Sequence, residues 1–503
     1  MAAWHPWHST VTPPALARLL RGTRLPEAPG HRPAYRTLAA QVRTLVAEGR
    51  LPVGSRLPAE RELAAELALS RTTVATAYEA LRADGYLLSR RGSGSWTTLP
   101  DGARPPSDAL NPVPPDQRDS VIDLGVAALP APQPYLGAAA ARALEQLPAY
   151  AAGHGNYPTG LPALREALAR RYSERGLPTT PDQILVTTGA MSALRLARPA
   201  LAGRGDRVAV EAPSYAHTLL ALRRAGARLI PVPLARPEGP GGPARWDLAD
   251  WQRVLRTAAP RLAYVIPDFH NPTGALIEED QRRALLADAR CADTVLLADE
   301  TPAELGWGTP ESELPRPLAA LDRAARVVTV GSASKIFWGG LRIGWLRAAP
   351  ALVRQLAADR AISDIGTPVL DQLIATELLT GHFSEVRAHQ HERLRSSAEA
   401  LAAELHRQLP AWEFTLPPGG LALWTTTGGL SGTALARAGE RTGIHLAAGA
   451  RFGVDGAFEN YLRIPLTVPA GQAAEAVARL AAAAHLASRG GYGSTDDGSG
   501  PPI

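Results

Sequence analysis

The 503-residue chain has 45% hydrophobic and 20% charged residues, the balance of a globular protein long enough for two or three domains. Its single cysteine, Cys291, excludes an intrachain disulfide and favours a reducing, cytoplasmic location. No apolar run reaches the ~20 residues of a membrane span, and MAAWHPWHST at the N-terminus lacks the features of a secretory signal, so we expect neither a membrane protein nor a secreted one.

The net charge of +5 is concentrated near the N-terminus. Residues 1–97 hold 13 arginines against 7 acidic residues, a net charge of +6, and the rest of the chain carries −1. A basic module on a near-neutral body favours a nucleic-acid partner. The predicted segments are an extension over 1–33 with one helical candidate (PALARLLRG), a module over 34–97, a Pro- and Asp-rich linker over 98–120, a body over 121–487 and a disordered Gly- and Ser-rich tail over 488–503.

The module over 34–97 has the pattern of helix, helix, turn, helix and hairpin. In YRTLAAQVRTLVAEG, one helical face carries Leu38, Val42, Leu45 and Val46, and a glycine ends the helix. SRTTVATAYEALRADG begins at Ser70, a good N-cap, and YLLSRRGSGSWT is predicted as two strands around a basic tip. This is the layout of a winged helix-turn-helix, which inserts one helix into the major groove of DNA.

The stretches LPAEREL, SRTTV and GYLLSRRGSG resemble the GntR-type winged helix along the whole module. The resemblance implies binding to double-stranded DNA through side chains of the turn and the wing, namely Arg61, Ser70, Arg71, Thr72, Thr73, Arg91 and Gly92. Arginine can bond guanine or phosphate, hydroxyls can bond phosphate oxygens, and glycine permits close approach. Ala59 stands where the family often has a capping serine, which predicts a weaker helix cap.

Short apolar runs recur through the body between longer helical patterns. They are ILVTTG, RVAVEAP, LAYVIPD, TVLLADE and RVVTVGS. Near-continuous apolar strands that alternate with helices predict a parallel or mixed sheet covered by helices on both faces. Polar residues follow directly after these strands, which is where an open α/β sheet places its ligand site.

Each of these polar stretches has an ordinary explanation when taken alone. TTGAMSAL is a strand-to-helix turn, Tyr215 of EAPSY is a core aromatic, Asn271 of HNPTG is a turn residue, and Asp299 is a helix cap. SASK contains Lys335, which is the only lysine in the chain beside 52 arginines. A lone lysine indicates chemistry that arginine cannot perform, such as a Schiff base with an aldehyde.

Together these residues suit pyridoxal 5'-phosphate, because they offer an amine, a carboxylate, an amide, an aromatic ring and a phosphate cup. Their order resembles the fold-type I aminotransferases over residues 121–487. The resemblance implies Lys335 as the Schiff-base lysine, Asp299 at the pyridine nitrogen, Asn271 at the phenolic oxygen and Tyr215 against the ring. It further implies a phosphate site and a clamp for the substrate α-carboxylate, the first formed by Gly189, Ala190, Met191, Ser332, Ser334 and Arg342 and the second by Arg463 in NYLRIPL.

Three positions depart from the family pattern. Thr301 stands where regulators of this kind usually have a tyrosine for the phenolic oxygen, and Ala190 lacks a hydroxyl often found in the phosphate turn. Gly155 occupies a position where a tyrosine is usual, with Tyr157 as the candidate substitute.

The fusion of these two modules resembles the MocR/GabR type of bacterial transcription regulator. The fold class implied is a small α+β winged helix-turn-helix followed by an α/β fold-type I transferase with a large mixed or parallel sheet and a smaller C-terminal α+β domain. The resemblance also implies a homodimer, pyridoxal phosphate as cofactor and an amino acid or other amino compound as effector. No metal-binding residues are assigned.

Two other functions stay open at the level of sequence. The complete set of Lys335, Asp299, Asn271 and Arg463 suits a working aminotransferase with an accessory DNA-binding domain, whereas Thr301 argues against efficient turnover. A third hypothesis is that the body binds no ligand and serves only for dimerisation. Such a scaffold has no reason to retain Lys335 as its sole lysine.

Overall fold

The computed structural model describes residues 11–21, 33–47, 51, 55–90, 94–98, 112–117, 119–236, 238–239, 241–454 and 457–488. The chain divides into two compact units, the first of residues 1–109, 433–441 and 483–503 and the second of residues 110–432 and 442–482. Up to residue 98, the described elements are α1 (Pro13–Arg21), α2 (Ala34–Ala47), α3 (Glu60–Leu67), α4 (Arg71–Ala83), β1 (Leu87–Arg90) and β2 (Gly94–Thr97).

The helices of the N-terminal unit share one apolar core. The predicted face of α2 is buried, with Leu38, Val42, Leu45 and Val46 each at most 3% exposed. The candidate helix PALARLLRG is confirmed as α1, which packs against α2 and α3. Its Leu16 is fully buried in the same core. Residues 13–21 of the extension therefore belong to the core of the N-terminal unit, a role that their sequence alone did not indicate.

The predicted cap at Ser70 and the predicted hairpin are present. Ser70 Oγ accepts a hydrogen bond from the Thr73 amide at 3.0 Å at the start of α4, whereas Ala59 gives α3 no side-chain cap. Strands β1 and β2 pair antiparallel, as expected for a wing. Arg91 and Gly92 at the wing tip lie outside the described residues.

From residue 112 onward, helices and strands alternate as predicted. The elements are β3 (Ile122–Leu124), α5 (Tyr135–Ala151), α6 (Pro162–Glu174), β4 (Ile184–Thr187), α7 (Ala190–Leu201), β5 (Arg207–Ala212), α8 (Ala216–Arg224), β6 (Arg228–Ala235), β7 (Arg245–Trp246), α9 (Leu248–Ala258), β8 (Leu262–Val265), α10 (Glu279–Cys291), β9 (Val295–Asp299), β10 (Val327–Ser332), β11 (Gly344–Arg347), α11 (Pro350–Arg360), α12 (Val369–Gly381), α13 (Phe383–Gln408), β12 (Ala422–Thr426), α14 (Gly432–Arg441), β13 (Ile444–Ala448), β14 (Tyr461–Pro465) and α15 (Ala473–Ser488).

A mixed eight-stranded sheet forms the centre of the second unit. Its order is β4-β11-β10-β9-β8-β5-β6-β7. Strands β10, β9, β8, β5 and β6 run parallel, and β11 is antiparallel to both of its neighbours. All five apolar runs picked out in the sequence are strands of this sheet, so the prediction of a mixed sheet is confirmed. The carboxyl ends of β8, β9 and β10 meet at one edge, and the candidate site lies there.

A second, four-stranded sheet has the order β12-β14-β13-β3. It contains Arg463 on β14, and its edge strand β3 comes from the start of the body and runs parallel to β13. The short run VIDL gives no sign of this distant partner in the sequence. The pairing brings the segment after the linker into the same sheet as Arg463.

Within the described residues, no helix is both long enough and apolar enough to cross a bilayer.

We predict that Leu16→Ala destabilises the N-terminal unit by about 2–5 kcal/mol, the usual cost of truncating a fully buried leucine. Native-state hydrogen exchange of the full chain, read at the amides of α3 and α4, measures this loss. Leu88→Ala is the matched control, because Leu88 is 57% exposed and its truncation is expected to cost less than about 0.5 kcal/mol. Equal exchange in the two variants would contradict the assignment of α1 to this core.

Candidate functional site

A cavity of about 220 Å³ opens at the carboxyl ends of the parallel strands. It brings together side chains from turns that are more than a hundred residues apart in sequence. The predicted residues that line it are Ala190, Met191, Tyr215, Asn271, Asp299, Ser332, Ser334, Lys335 and Arg342. Two predicted residues, Gly189 and Arg463, are not among the lining residues.

Lys335 lies in the turn that follows β10 and is partly buried. Its Nζ donates a hydrogen bond to the Ala127 carbonyl at 2.9 Å. Burial, and to a smaller extent the Arg463 guanidinium, lowers the pKa of Lys335 to about 8, and Asp299 opposes the shift. A substantial fraction of this amine is therefore neutral near physiological pH, which is the form that attacks an aldehyde.

Asp299 is the last residue of β9 and is 7% exposed. Its Oδ2 accepts the Tyr264 hydroxyl at 2.5 Å, and its Oδ1 accepts the Thr301 amide at 3.0 Å. Tyr264 also lines the cavity and was missed by the sequence analysis. The available signal was a single hydroxyl-bearing residue inside the apolar run LAYV, on a strand adjacent to that of Asp299.

Asn271 follows β8 and also lines the cavity. Its buried Oδ1 has no hydrogen-bond partner, although the side chain lies among polar groups. A buried amide without a partner costs about 1–3 kcal/mol, so its presence favours a ligand that bonds this side chain. Because Oδ1 is an acceptor, the requirement is met by a ligand group that donates a hydrogen bond, such as the ring hydroxyl of pyridoxal in its protonated form.

The turn between β4 and α7 has the geometry of an anion cradle. Gly189 has φ +82°, and a Cβ at this position would lie 2.6 Å from Arg342 Nη2. The amides of Ala190 and Met191 are the first of α7, so their helix provides no carbonyls for them. Ser332 Oγ donates to Ser334 Oγ at 2.9 Å beside this turn. These donors and the guanidinium suit a phosphate group.

Tyr215 begins α8 at the rim of the cavity. Its hydroxyl lies 2.9 Å from His217 Nδ1, and the two rings are nearly perpendicular. Burial raises the pKa of Tyr215 to about 12, with Arg463 opposing the shift and Asp299 adding to it. The phenol is therefore neutral and presents an aromatic surface to a bound ring.

Arg463 is 3% exposed and donates from Nη2 to the Gly125 carbonyl. Its guanidinium lies 4.9 Å from the centroid of the Phe452 ring, and its Nε has no partner. Burial lowers the pKa of Arg463 to about 10, against the opposing influence of Tyr215 and Asp123. The role of a carboxylate clamp stays a prediction, since the side chain bonds a backbone carbonyl here.

Thr301 and Tyr157, which bear on the departures from the family pattern, both lie within the described residues. Thr301 lines the cavity with a hydroxyl in place of the usual tyrosine. Tyr157, the candidate substitute at Gly155, lies edge-on to Tyr150 with 6.1 Å between ring centroids.

The predicted DNA contacts cluster at the start of α3 and α4. Arg61, Ser70, Arg71 and Thr72 are exposed, and Thr73 is half-buried. Ser70 has a second role as the cap of α4, so its hydroxyl is already held by Thr73. Arg61, Arg71 and Thr72 take no part in this cap, and all of these residues stay predicted DNA contacts.

The N-terminal module and the body each match a known protein family. Residues 120–480 match the family of class I and II aminotransferases, and residues 34–96 match the bacterial regulatory proteins of the gntR family. The probable rhizopine catabolism regulatory protein MocR of Rhizobium meliloti is 28% identical over 421 residues, which cover 76% of this chain and 78% of that protein.

A curated relative and a solved structure are both aminoadipate aminotransferases. The 2-aminoadipate transaminase of Thermus thermophilus is 34% identical over 317 residues, covering 62% of this chain and 77% of the enzyme. The crystal structure of LysN, an alpha-aminoadipate aminotransferase of the same species, superposes with a TM-score of 0.64 at 32% identity and covers 72% of this chain and 92% of that chain. The cofactor of this family is pyridoxal phosphate, and the donor set described above fits it. The chain thus belongs to the class I and II aminotransferase family and, with its gntR-type N-terminal domain, to the MocR-type transcriptional regulators.

Proposed function

We propose that this regulator binds pyridoxal phosphate through Lys335 and that an amino compound engaging the same cavity alters its binding to DNA. The observation that carries the proposal is the position of the only lysine of the chain, in a cavity that it shares with Asp299, Asn271 and a phosphate-type cradle. A regulator that used this fold only as a scaffold would have no need for such a set.

When bound, pyridoxal phosphate supplies an aldehyde that combines reversibly with primary amines. Lys335 provides the amine that would hold the aldehyde, and its lowered pKa keeps part of it neutral. Asp299 would face the ring nitrogen, Asn271 the phenolic oxygen and Tyr215 the ring face. The phosphate would be held by the turn at Gly189 together with Ala190, Met191, Ser332, Ser334 and Arg342.

Residues 125–128, here called the strap, connect the cavity to the second sheet. The Ala127 carbonyl accepts a hydrogen bond from Lys335 and the Gly125 carbonyl accepts one from Arg463. Lys335 is the side chain proposed to bind the aldehyde, and Arg463 is the one proposed to bind the effector carboxylate. A ligand that engages both side chains therefore removes both donors from the strap.

Asp123 joins the strap to the linker. Its Oδ1 accepts the Gly125 amide at 2.8 Å, and its Oδ2 accepts the Val113 amide at 3.1 Å. Although burial opposes the shift, hydrogen bonds from His445, Val113 and Gly125 lower the pKa of Asp123. The carboxylate thus stays ionised and able to accept these bonds, and a displacement of the strap reaches residue 113 through it.

The output of this switch is the arrangement of two DNA-binding modules in a homodimer. An effector shifts that arrangement only if it binds the alternative states with different affinity. The strap supplies such a difference, because its carbonyl bonds and the ligand compete for the same two side chains.

A working aminotransferase is the second candidate. The shared presence of Lys335, Asp299 and Asn271 in one cavity favours it. Thr301 weighs against efficient turnover, since its short hydroxyl replaces a tyrosine. Formation of a keto acid from an added amino acid, with recovery by a second keto acid, would identify the enzyme.

We predict that Lys335→Ala loses cofactor binding, whereas Arg71→Ala loses affinity for DNA. Lys335→Ala removes the absorption band that pyridoxal phosphate gives on the full-length protein and any change of DNA affinity caused by the twenty standard amino acids tested in turn. Arg71→Ala keeps the band and weakens binding to DNA selected from a random library by about tenfold or more, the cost of one lost arginine contact. Absorption titration and fluorescence anisotropy measure the two effects.

Unchanged DNA affinity in Arg71→Ala would overturn the DNA-contact assignment. A full absorption band in Lys335→Ala would overturn the cofactor assignment. DNA affinity and an effector response that are both unchanged in Lys335→Ala would show instead that the body is only a scaffold.

We predict that Lys335 of the cofactor-free protein reacts with trace acetic anhydride along a pH curve with its midpoint near 8. Burial favours the neutral amine, so reactivity rises through pH 7–9 and is constant above that range. Mass spectrometry of the peptide that contains Lys335 measures this curve. Arg204→Lys provides an exposed reference lysine with an expected midpoint of about 10.4. Coinciding curves would contradict the buried-amine account.

We predict that Lys335→Met accelerates hydrogen exchange at the strap amides 125–128 by about tenfold, because one hydrogen bond from a cationic donor is lost. Pyridoxal phosphate added to the unmodified protein is expected to have the same effect, whereas the amides of β4 serve as an unaffected reference. Equal exchange in all three samples would show that the strap is held by other contacts.

A further inference from the structure

Tyr264 and Asp299 lie side by side on neighbouring parallel strands. Tyr264 of β8 pairs in register with Leu297 of β9, two residues before Asp299. The Tyr264 hydroxyl donates to Asp299 Oδ2 at 2.5 Å, and the two residues are only 1% and 7% exposed. A short bond between two buried polar groups is expected to be strong and well oriented.

The other carboxylate oxygen is held from a different direction. Asp299 Oδ1 accepts the Thr301 amide at 3.0 Å. With one donor on each oxygen, the carboxylate cannot turn about its χ2 bond without breaking a hydrogen bond. Each oxygen keeps a further acceptor site, and both Asp299 and Tyr264 line the cavity.

The direction of the proton in this pair is fixed by its surroundings. Burial, together with the nearby Asp299 carboxylate, raises the pKa of Tyr264 far above its ordinary value. The phenol therefore keeps its proton and remains a donor. The Thr218 side chain opposes this shift and lowers the pKa of Tyr264 by a smaller amount.

We propose that Tyr264 is the positioning residue that aims the Asp299 carboxylate at the ring nitrogen of the cofactor. This inference rests on the proposed binding of pyridoxal phosphate and adds a residue that the motif comparison does not assign. Without the phenol, Asp299 Oδ2 is left buried with one donor fewer, and the carboxylate is free to rotate away from the ring nitrogen.

A purely structural role for Tyr264 predicts different behaviour. The Tyr264 ring belongs to the apolar core of the large sheet, and under a purely structural role its hydroxyl would serve folding alone. The two roles are separated by a ligand that lacks the ring nitrogen but keeps the aldehyde, the phenolic oxygen and the phosphate. The carbocyclic (1-deaza) analogue of pyridoxal phosphate has this structure, and it gains nothing from an aimed Asp299.

The test is the equilibrium affinity of the full-length, cofactor-free protein for pyridoxal phosphate and for the 1-deaza analogue, measured by absorption titration. Tyr264→Phe is expected to weaken pyridoxal phosphate about tenfold, the value of one hydrogen bond to a charged group, and the analogue less than twofold. Tyr172→Phe is the matched control. It also removes a buried phenol, but one that accepts from Trp345 at 3.0 Å outside the cavity, and it should change neither affinity.

Equal weakening of both ligands, or of neither, would overturn the positioning role while leaving the proposed function intact. Failure of the unmodified protein to bind pyridoxal phosphate would overturn the proposed function and this inference with it. If Tyr264→Phe does not fold, Thr218→Val replaces it. That variant removes a hydroxyl that acts on the Tyr264 phenol and lines the same cavity. It is expected to weaken pyridoxal phosphate two- to threefold, again without a comparable effect on the analogue, and equal effects on both ligands would count against the inference.

Discussion

A buried primary amine is stable only if it loses its proton or donates hydrogen bonds to nearby acceptors. The surroundings of Lys335 favour both. Burial lowers its pKa, and the Ala127 carbonyl accepts its hydrogen bond. The amine is thereby reactive toward an aldehyde and at the same time tied to the backbone. The chemistry of the cavity and its connection to the rest of the body both depend on this one contact.

The parallel sheet explains how so many polar groups share one small cavity. Strands β8, β9 and β10 run in the same direction, so Asn271, Asp299 and Lys335 all follow carboxyl ends at one edge. Polar groups at that edge are enclosed by helices and would each be costly alone. Their cost is offset by mutual hydrogen bonds, as between Tyr264 and Asp299, or by a ligand, as argued for Asn271.

The second sheet connects the cavity with the linker. Its strand β14 carries Arg463, and its edge strand β3 leads directly into the strap. Asp123 holds the strap and residue 113 of the linker through separate oxygens. A ligand in the cavity and the end of the linker are thus three hydrogen-bonded contacts apart, all of them inside the body.

Much of this protein was determined by its sequence alone. The buried face of α2, the cap at Ser70 and the five apolar strands of the large sheet were predicted correctly, because periodicity and turn chemistry are local properties. The predicted site residues from Tyr215 to Arg342 line one cavity, and their roles stay predictions. The strap contacts, the role of Tyr264 and the burial of α1 were decided only by tertiary structure. Tyr264 and the Gly125 carbonyl have hydrogen-bond partners more than thirty residues away, Asp299 and Arg463, and a hydrogen bond across that distance leaves no pattern in the order of residues.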